Sequence, residues 1–324
     1  MPFIRDITYE NRTKSCIPTH FEMKIDPISL RLFVAAMEEK TIAGAAEKQY
    51  IAASAASRRL AELEQQLQVS LFERSNKGMT PTPAAYALLS SARTVLNDLD
   101  SIGAQMQSYR SGSLGQVRIA ANISAITQFL PHDLKSFLTL HPGVQVELDE
   151  KISSQVAQSV RSNQADVGIL NAGQYGDGLQ FFPYRQDELV MVAPQDHPLS
   201  AQASVRMQQA LAHDFVGAHL GSAINHLIHL AAAQHSLPLH MRIHVTSFDA
   251  MCLMVSAGLG VGILPDGAAR LYVGALGLRT LALDEPWAKR QLVLAVREGA
   301  SRSRATDLLM RHLLGPMSPE SQQA

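Results

Sequence analysis

A chain of 324 residues, 46% of them hydrophobic and 18% charged, is long enough to bury more than one core and falls inside the globular range. No apolar run approaches the roughly 20 residues that cross a bilayer, and the N-terminus lacks the basic-then-apolar order of an export signal, so a cytoplasmic protein without membrane contact is expected. The formal net charge of −1 gives no global attraction to nucleic acid, and the 2 cysteines, Cys16 and Cys252, suggest neither a disulfide framework nor a zinc site.

Residues 1–22 are polar, include Pro2 and Pro18 and show no apolar period, so residues 1–24 read as a disordered leader with Met23 as a candidate start. From Pro27 the pattern turns helical: Ile28, Leu32, Phe33, Ala36 and Met37 recur at three and four residues, up to Lys40. Thr41 can cap a short second helix, 42–49, whose inner face is Ala45 and Ala46. Tyr50, Ile51 and Ala52 form a turn. A third helix, 53–66, buries Leu60, Leu63 and Leu67 and shows Ser54, Ser57, Arg58 and Arg59 on other faces, which is helix-turn-helix spacing with the motif at 42–61.

The stretch FERSNKGMTPT has two short extended arms around Asn76-Lys77-Gly78 and reads as a wing. Thr82 and Pro83 then open a long helix. Along it Leu88, Ala92, Val95, Leu99, Ile102, Met106 and Tyr109 recur in steps of four and three, a heptad seam. A seam that narrow needs a partner helix, and an identical chain is the simplest one, so a dimer through 83–112 is expected.

SGSLGQ, residues 111–116, reads as a flexible joint. After it strands and helices alternate: strand 117–121, helix 128–140, strand 144–148, helix 154–163 and strand 167–170. A second set comes next, with strands VMVA, FVGA and IHV, a helix after Ser222 and another at 248–257, then LGVGIL. Strand QLVLAV and a helix at 303–314 close the chain.

The stretch LRLFVAAMEEKTIAGAAEKQYIAASAASRRLAELEQQLQVSLFERSNKGMTPTPAA resembles the LysR-type transcriptional regulators, through Phe33, Ala45, Ala46, Glu47, Ser57, Arg58, Leu63, Glu64, Leu71, Phe72, Glu73, Arg74 and Thr82. FLPHDLKSFLTLHPGVQVEL, ADVGIL, HPLS and SAGLGVGILP occur after it in the order and spacing of the family's effector domain. The resemblance implies an α/β protein overall. It has an N-terminal winged helix-turn-helix (25–82), a linker and dimerisation helix (83–112) and a two-lobed α/β effector domain (115–314) like type 2 periplasmic binding proteins. Lobe I would comprise 115–184 and 285–314, lobe II 185–284, and 315–324 a disordered tail. It further implies a nucleoid-associated regulator that binds promoter operators as double-stranded DNA. Its dimers pair into tetramers, RNA polymerase is admitted as a further partner, and a small-molecule co-inducer or co-repressor of unknown identity is the only cofactor.

Family members commonly carry Ser-Gln-Pro where this sequence has Ala52-Ala53-Ser54, and Ala53 can neither donate to nor accept from a base edge. DNA contact is therefore expected from Ser54, Ser57, Arg58 and Arg59 with Arg74 and Lys77 of the wing. Against this, Arg58 and Arg59 can be plain surface charges near Glu62. Ligand contacts in such sheets come from strand C-ends and helix N-termini, which gives Asn122, Ser124, Ser153, Ser154, Asn171, His219, Ser222, Thr246, Ser247 and Gly262, and favours a small organic acid. Helix capping would explain Ser124, Ser154, Ser222 and Ser247 equally well.

Three other chemistries are weighed and set aside. Gly258 to Gly262 spells a glycine-rich turn, but it closes a helix and leads into a strand, the reverse of a dinucleotide loop. Seven histidines between His213 and His244 fall on different elements without metal-ligand spacing. No nucleophile elbow or paired-acid motif occurs, so no catalytic residues and no enzyme are expected. A periplasmic solute-binding protein would share the lobes but require an export signal, and an enzyme would have no use for a wing and heptad.

Overall fold

The computed structural model describes residues 25–75, 78–111, 115–300 and 302–315. The expected leader, Asn76 and Lys77 of the wing turn, residues 112–114 of the joint and the tail beyond 315 lie outside them. The chain divides into two compact units between Ala92 and Arg93, inside one long helix.

In the first unit, helix α1 (Pro27–Glu39) opens where the Asp26 carboxylate accepts from the backbone N–H of Ile28 and Ser29 at 2.9 and 3.0 Å. These bonds, led by the Ser29 hydroxyl, hold the Asp26 carboxyl below its usual range. Leu30, Leu32, Phe33, Ala36 and Met37 are buried. Ile28, expected on that stripe, is exposed instead: it sits in the first turn, beyond the stretch that meets the next helices. Helix α2 (Ile42–Lys48) is capped by Thr41, and helix α3 (Ala53–Leu67) buries Ala56, Leu60 and Leu63. Leu67, expected in the core, is half-buried at the end of α3.

Glu64 anchors the chain as it leaves α3. Its carboxylate accepts from the backbone N–H of Leu71 at 2.7 Å and of Phe72 at 3.0 Å. Strand β1 (Phe72–Ser75) thereby starts in register, pairs antiparallel with β2 (Gly78–Pro81), and sets Phe72 against Phe33 with ring centroids 5.8 Å apart. Gly78 has φ 123°, a backbone state that side chains avoid and that the return of this hairpin requires. Thr82 donates its hydroxyl to the Ser70 carbonyl at 2.8 Å and accepts from the Ala85 N–H at 3.3 Å, which starts α4 (Pro83–Ser111). On α4 the expected seam residues Val95, Leu99, Ile102 and Met106 are exposed, while Ala92 and Leu96 are buried.

The second unit is built on a 10-stranded sheet. Strands β3 (Gly115–Ala121), β4 (Val144–Glu150) and β5 (Val167–Asn171) run parallel. Helices α5 (Ile123–Gln128), α6 (Leu130–Leu140) and α7 (Ser153–Arg161) connect them. The expected single helix at 128–140 is thus preceded by a separate short one. Pro131 has no N–H to donate back along the turn, and the chain breaks at Phe129. Gly168 lets α7 close on β5, since a Cβ there would stand 2.8 and 2.9 Å from Val160 and Val156.

Strand β6 (Leu179–Pro194) runs unbroken for 16 residues where sequence periodicity marks only VMVA. After it come β7 (Ser204–Val205), α8 (Met207–Ala210), β8 (Phe215–Gly217), α9 (Ala223–His235), β9 (Met241–His244) and α10 (Phe248–Ser256). Next are β10 (Val261–Pro265), α11 (Asp266–Ala269), α12 (Val273–Leu276), β11 (Leu278–Leu283), β12 (Lys289–Arg297) and α13 (Arg304–Leu314). The first part of β6, through Glu188, pairs with β12, and the last part, from Leu189, pairs with β10 and β11. One strand therefore serves both lobes and changes neighbours four residues past the expected boundary at 184/185.

Each lobe has its own core. Ile119, Phe137, Ile169, Leu294 and Leu309 pack on one face of the first lobe's sheet, and Val156, Val160, Leu170 and Ala295 on the other. Met191, Phe215, Ile228, Met251 and Ile263 lead the core of the second lobe.

Candidate functional site

In the first unit the helix-turn-helix is α2, the turn from Gln49 to Ala52, and α3. Tyr50 in that turn takes φ 54° and is 96% exposed, an aromatic surface that sequence reading did not single out. Ser54 is exposed on the first turn of α3 and Ser57 is half-buried. Arg58 is exposed and faces Glu62 at 3.6 Å, the plain surface pairing. Arg59 reaches Asp26, the cap of α1, at 3.7 Å, so it also ties α3 to α1. Arg74 lies on β1, and Lys77 lies outside the described residues.

In the second unit a cleft of about 210 Å³ opens between the lobes. Asn122, Ser124, Ser153, Asn171, His219, Ser222, Thr246 and Ser247 all line it, brought together from the ends of five strands and the loops after them. Two expected residues do not. Ser154 is exposed on the outer side of the first turn of α7. Gly262 is buried within β10, where a Cβ would stand 3.0 Å from Met251 and 3.2 Å from Val192, so it serves the packing of α10 on the sheet.

Capping accounts for few of these serines. Ser222 caps α9 by accepting from the Asn225 N–H at 3.2 Å. At α5 the cap is Asn122, not Ser124. Helix α7 has no side-chain cap, so Ser154 does not cap it, and Ser247 bonds Asp249 instead, holding that carboxyl below its usual range. Asn122 Nδ2 donates to Ser153 Oγ at 3.1 Å, and the Asn171 backbone N–H donates to the same oxygen at 3.4 Å. Helices α5, α7, α9 and α10 all begin at the cleft wall, and their N-terminal N–H groups favour negative charge there.

Arg290, which sequence reading missed, lies at the floor of the cleft. It is paired across the β12–β6 ladder with Asp187, and the two side chains are only 7% and 1% exposed. Arg290 Nε donates to Asp187 Oδ1 at 2.9 Å, Nη2 donates to Asp187 Oδ2 and to Ser124 Oγ, and Gln128 Nε2 also donates to Asp187. Nη1 is buried without a hydrogen-bond partner. A charged residue among the apolar positions of QLVLAV's flank was the available signal, but its partner is 103 residues away. Lys151, Glu150 and Gln155 complete the polar lining.

Comparison with known proteins gives two family matches: residues 28–86 match the bacterial regulatory helix-turn-helix protein, lysR family, and residues 110–317 match the LysR substrate binding domain. The chain is 28% identical over 285 residues to the uncharacterized HTH-type transcriptional regulator YbhD of Escherichia coli strain K12, covering 88% of this chain and 90% of that one. Its fold is similar to full-length CbnR solved in complex with target DNA, with a TM-score of 0.65 and 19% identity, covering 89% of this chain and 99% of that one. It is also similar to the effector binding domain of QuiR in complex with shikimate, with a TM-score of 0.56 and 19% identity, covering 62% of this chain and 95% of that one.

Proposed function

The chain belongs to the LysR family of DNA-binding transcriptional regulators, and from that premise we propose that it binds operator DNA through α3 and responds to a small organic anion held between its effector lobes. In this reading residues 25–82 are the winged DNA-binding domain, 83–112 the dimerisation helix, and 115–314 the effector domain. Ser54, Ser57, Arg58 and Arg59 meet DNA together with the wing residues Arg74 and Lys77. Phosphate contacts orient the head, and base contacts fall on Ser54, Ser57 and the arginines because Ala53 is mute.

The exposed run Val95, Leu99, Ile102 and Met106 supports self-association along α4. The relatives named above are a transcriptional regulator, a DNA-bound regulator and a ligand-bound effector domain, which supports binding rather than turnover in the cleft. No helix among the described residues is long and apolar enough to cross a membrane.

The observation that carries the anionic effector is Arg290, a buried guanidinium on the cleft whose Nη1 amino group is left without a partner. A ligand oxygen with negative charge satisfies it, and charge-assisted bonds of that kind are about twice as strong as neutral ones. The test combines a thermal-shift screen of small carboxylates with mobility shifts on duplex DNA from the protein's own upstream region at low salt. At a ligand concentration 100 times Kd the native state gains about 2.7 kcal/mol, a readily seen rise in Tm. A monomer indifferent to that DNA, and to every acid in the screen, would end this reading.

A further inference from the structure

Only four buried side-chain nitrogen or oxygen atoms among the described residues lack a hydrogen-bond partner, and two of them, Arg290 Nη1 and Asn171 Oδ1, belong to residues of the same cleft. One is a donor and the other an acceptor. Asn171 faces Leu292 across the β5–β12 ladder. Arg290, two residues along β12, is therefore its diagonal neighbour on the same face of the sheet, about 7–8 Å away by strand geometry. Leaving either atom unmatched is costly, and such atoms in a native fold call for a physical explanation.

From this pairing, and resting on the anionic-effector reading above, we propose that the cleft selects a hydroxy acid: a compact carboxylate carrying a neutral hydroxyl close to its acid group. Both atoms are shielded from solvent, so each side chain turns towards the ligand as it enters: the carboxylate then accepts from Arg290 Nη1, and the hydroxyl donates to Asn171 Oδ1. A plain carboxylate would satisfy the arginine and leave the asparagine acceptor bare, because an ionised carboxylate has no hydrogen to give. An ammonium in place of the hydroxyl would meet the positive ends of α7, α9 and α10 as well as the guanidinium. The space of about 210 Å³ lies below the roughly 300–1,000 Å³ of drug-sized sites, which keeps the ligand small.

Isothermal titration of the full-length protein with a panel of two- to seven-carbon hydroxy acids tests this, each acid being paired with its deoxy partner and its amino analogue: malate, succinate and aspartate, or lactate, propionate and alanine. At least one hydroxy acid is expected to bind tenfold or more tightly than both counterparts. Asn171→Ala is expected to bring that ratio down towards one, and Arg290→Gln to abolish binding of the acid. Since Arg290→Gln leaves the Asp187 carboxylate buried without its cation, Arg290→Gln combined with Asp187→Asn is measured beside it. Equal binding of hydroxy and deoxy acids, preference for the amino acid, or a ratio unmoved by Asn171→Ala overturns the hydroxy-acid assignment while leaving the anionic cleft standing. No binding by any acid of the panel overturns both.

Discussion

Arg58 and Arg59 are neighbours in sequence with different surroundings, and the difference makes them separable. Arg58 is 79% exposed and its Glu62 partner 55% exposed, so their pairing is worth no more than about 0.5 kcal/mol. Arg58→Ala should therefore leave Tm unchanged while weakening operator binding by about tenfold, the scale of one lost phosphate or base contact. Arg59→Ala should weaken binding too, with at most a small fall in Tm, because its partner Asp26 at the cap of α1 is half exposed. Binding unaltered in both variants would remove α3 from the groove. Cys252 is a second residue whose behaviour derives from its setting: fully buried, its thiol is pushed up to about 11 by desolvation and then by the Asp249 charge. It should resist alkylation at pH 8 until the protein unfolds. The sign of the linkage is also set, because a thiol whose pKa is raised on folding contributes stability that is whole below about 9 and is lost as pH rises through about 11. A urea midpoint that rises between those values would contradict the buried placement.

At the scale of elements, α4 carries the clearest unfinished business. Val95, Leu99, Ile102 and Met106 stay exposed in a single chain, and a charge in such a seam breaks the pairing it forms. Leu99→Glu should convert the assembly towards monomer in light scattering, with the circular dichroism of each subunit kept. An unchanged mass would exclude α4 as the dimer contact. The helix-turn-helix and wing were legible in sequence because their cues are local: Thr41 and Thr82 are caps, Ala45 and Ala46 a close-packed face, and the glycine at 78 a turn. Eight polar residues lining the cleft were legible because strand ends and helix starts announce themselves, whereas Glu150, Lys151 and Gln155 carry no such cue. The α5–α6 break was a local cue too, carried by Pro131, and periodicity alone overrode it. The length of β6 was not legible, since in its first part only Leu179, Tyr184 and Asp187 are buried, with no two-residue period, whereas Leu189 to Ala193 are all buried. Arg290 was hidden for a different reason: its partner inside the protein, Asp187, stands across a long-range ladder and is not a neighbour in sequence.

For the molecule as a whole, the question is how a filled cleft reaches the DNA-binding head. Within the second unit the first turns of α4 after Arg93 are fastened to the first lobe: Asn97 Nδ2 donates to the Ser162 carbonyl at 2.6 Å, Asn163 Nδ2 donates to Asp98 at 2.5 Å, and Arg297 meets Asp98 at 3.0 Å. The Asp98 carboxylate is part-exposed, so its removal should cost the fold little. Asp98→Ala is expected to keep effector affinity and Tm nearly as they are while shrinking the effector-induced change in DNA footprint or mobility. A full effector response in that variant would place the coupling elsewhere. A shift of this kind needs only a modest preference of ligand for one of two pre-existing arrangements, tenfold for each 1.4 kcal/mol.

Both passages of the chain from lobe to lobe, β6 and β12, run side by side in one hydrogen-bonded ladder from Leu179–Arg297 to Glu188–Lys289. From Leu292 onward β12 is also bonded to β5, so only Gln186–Glu188 and Lys289–Gln291 form a two-stranded stretch between the lobes, and such a stretch twists more freely than a full sheet. The lobes are thus joined by a tape with one soft degree of freedom, and Arg290 sits on the tape itself. A ligand lodged against that guanidinium is therefore expected to act on the twist of the ribbon, changing the angle between the lobes more than their separation.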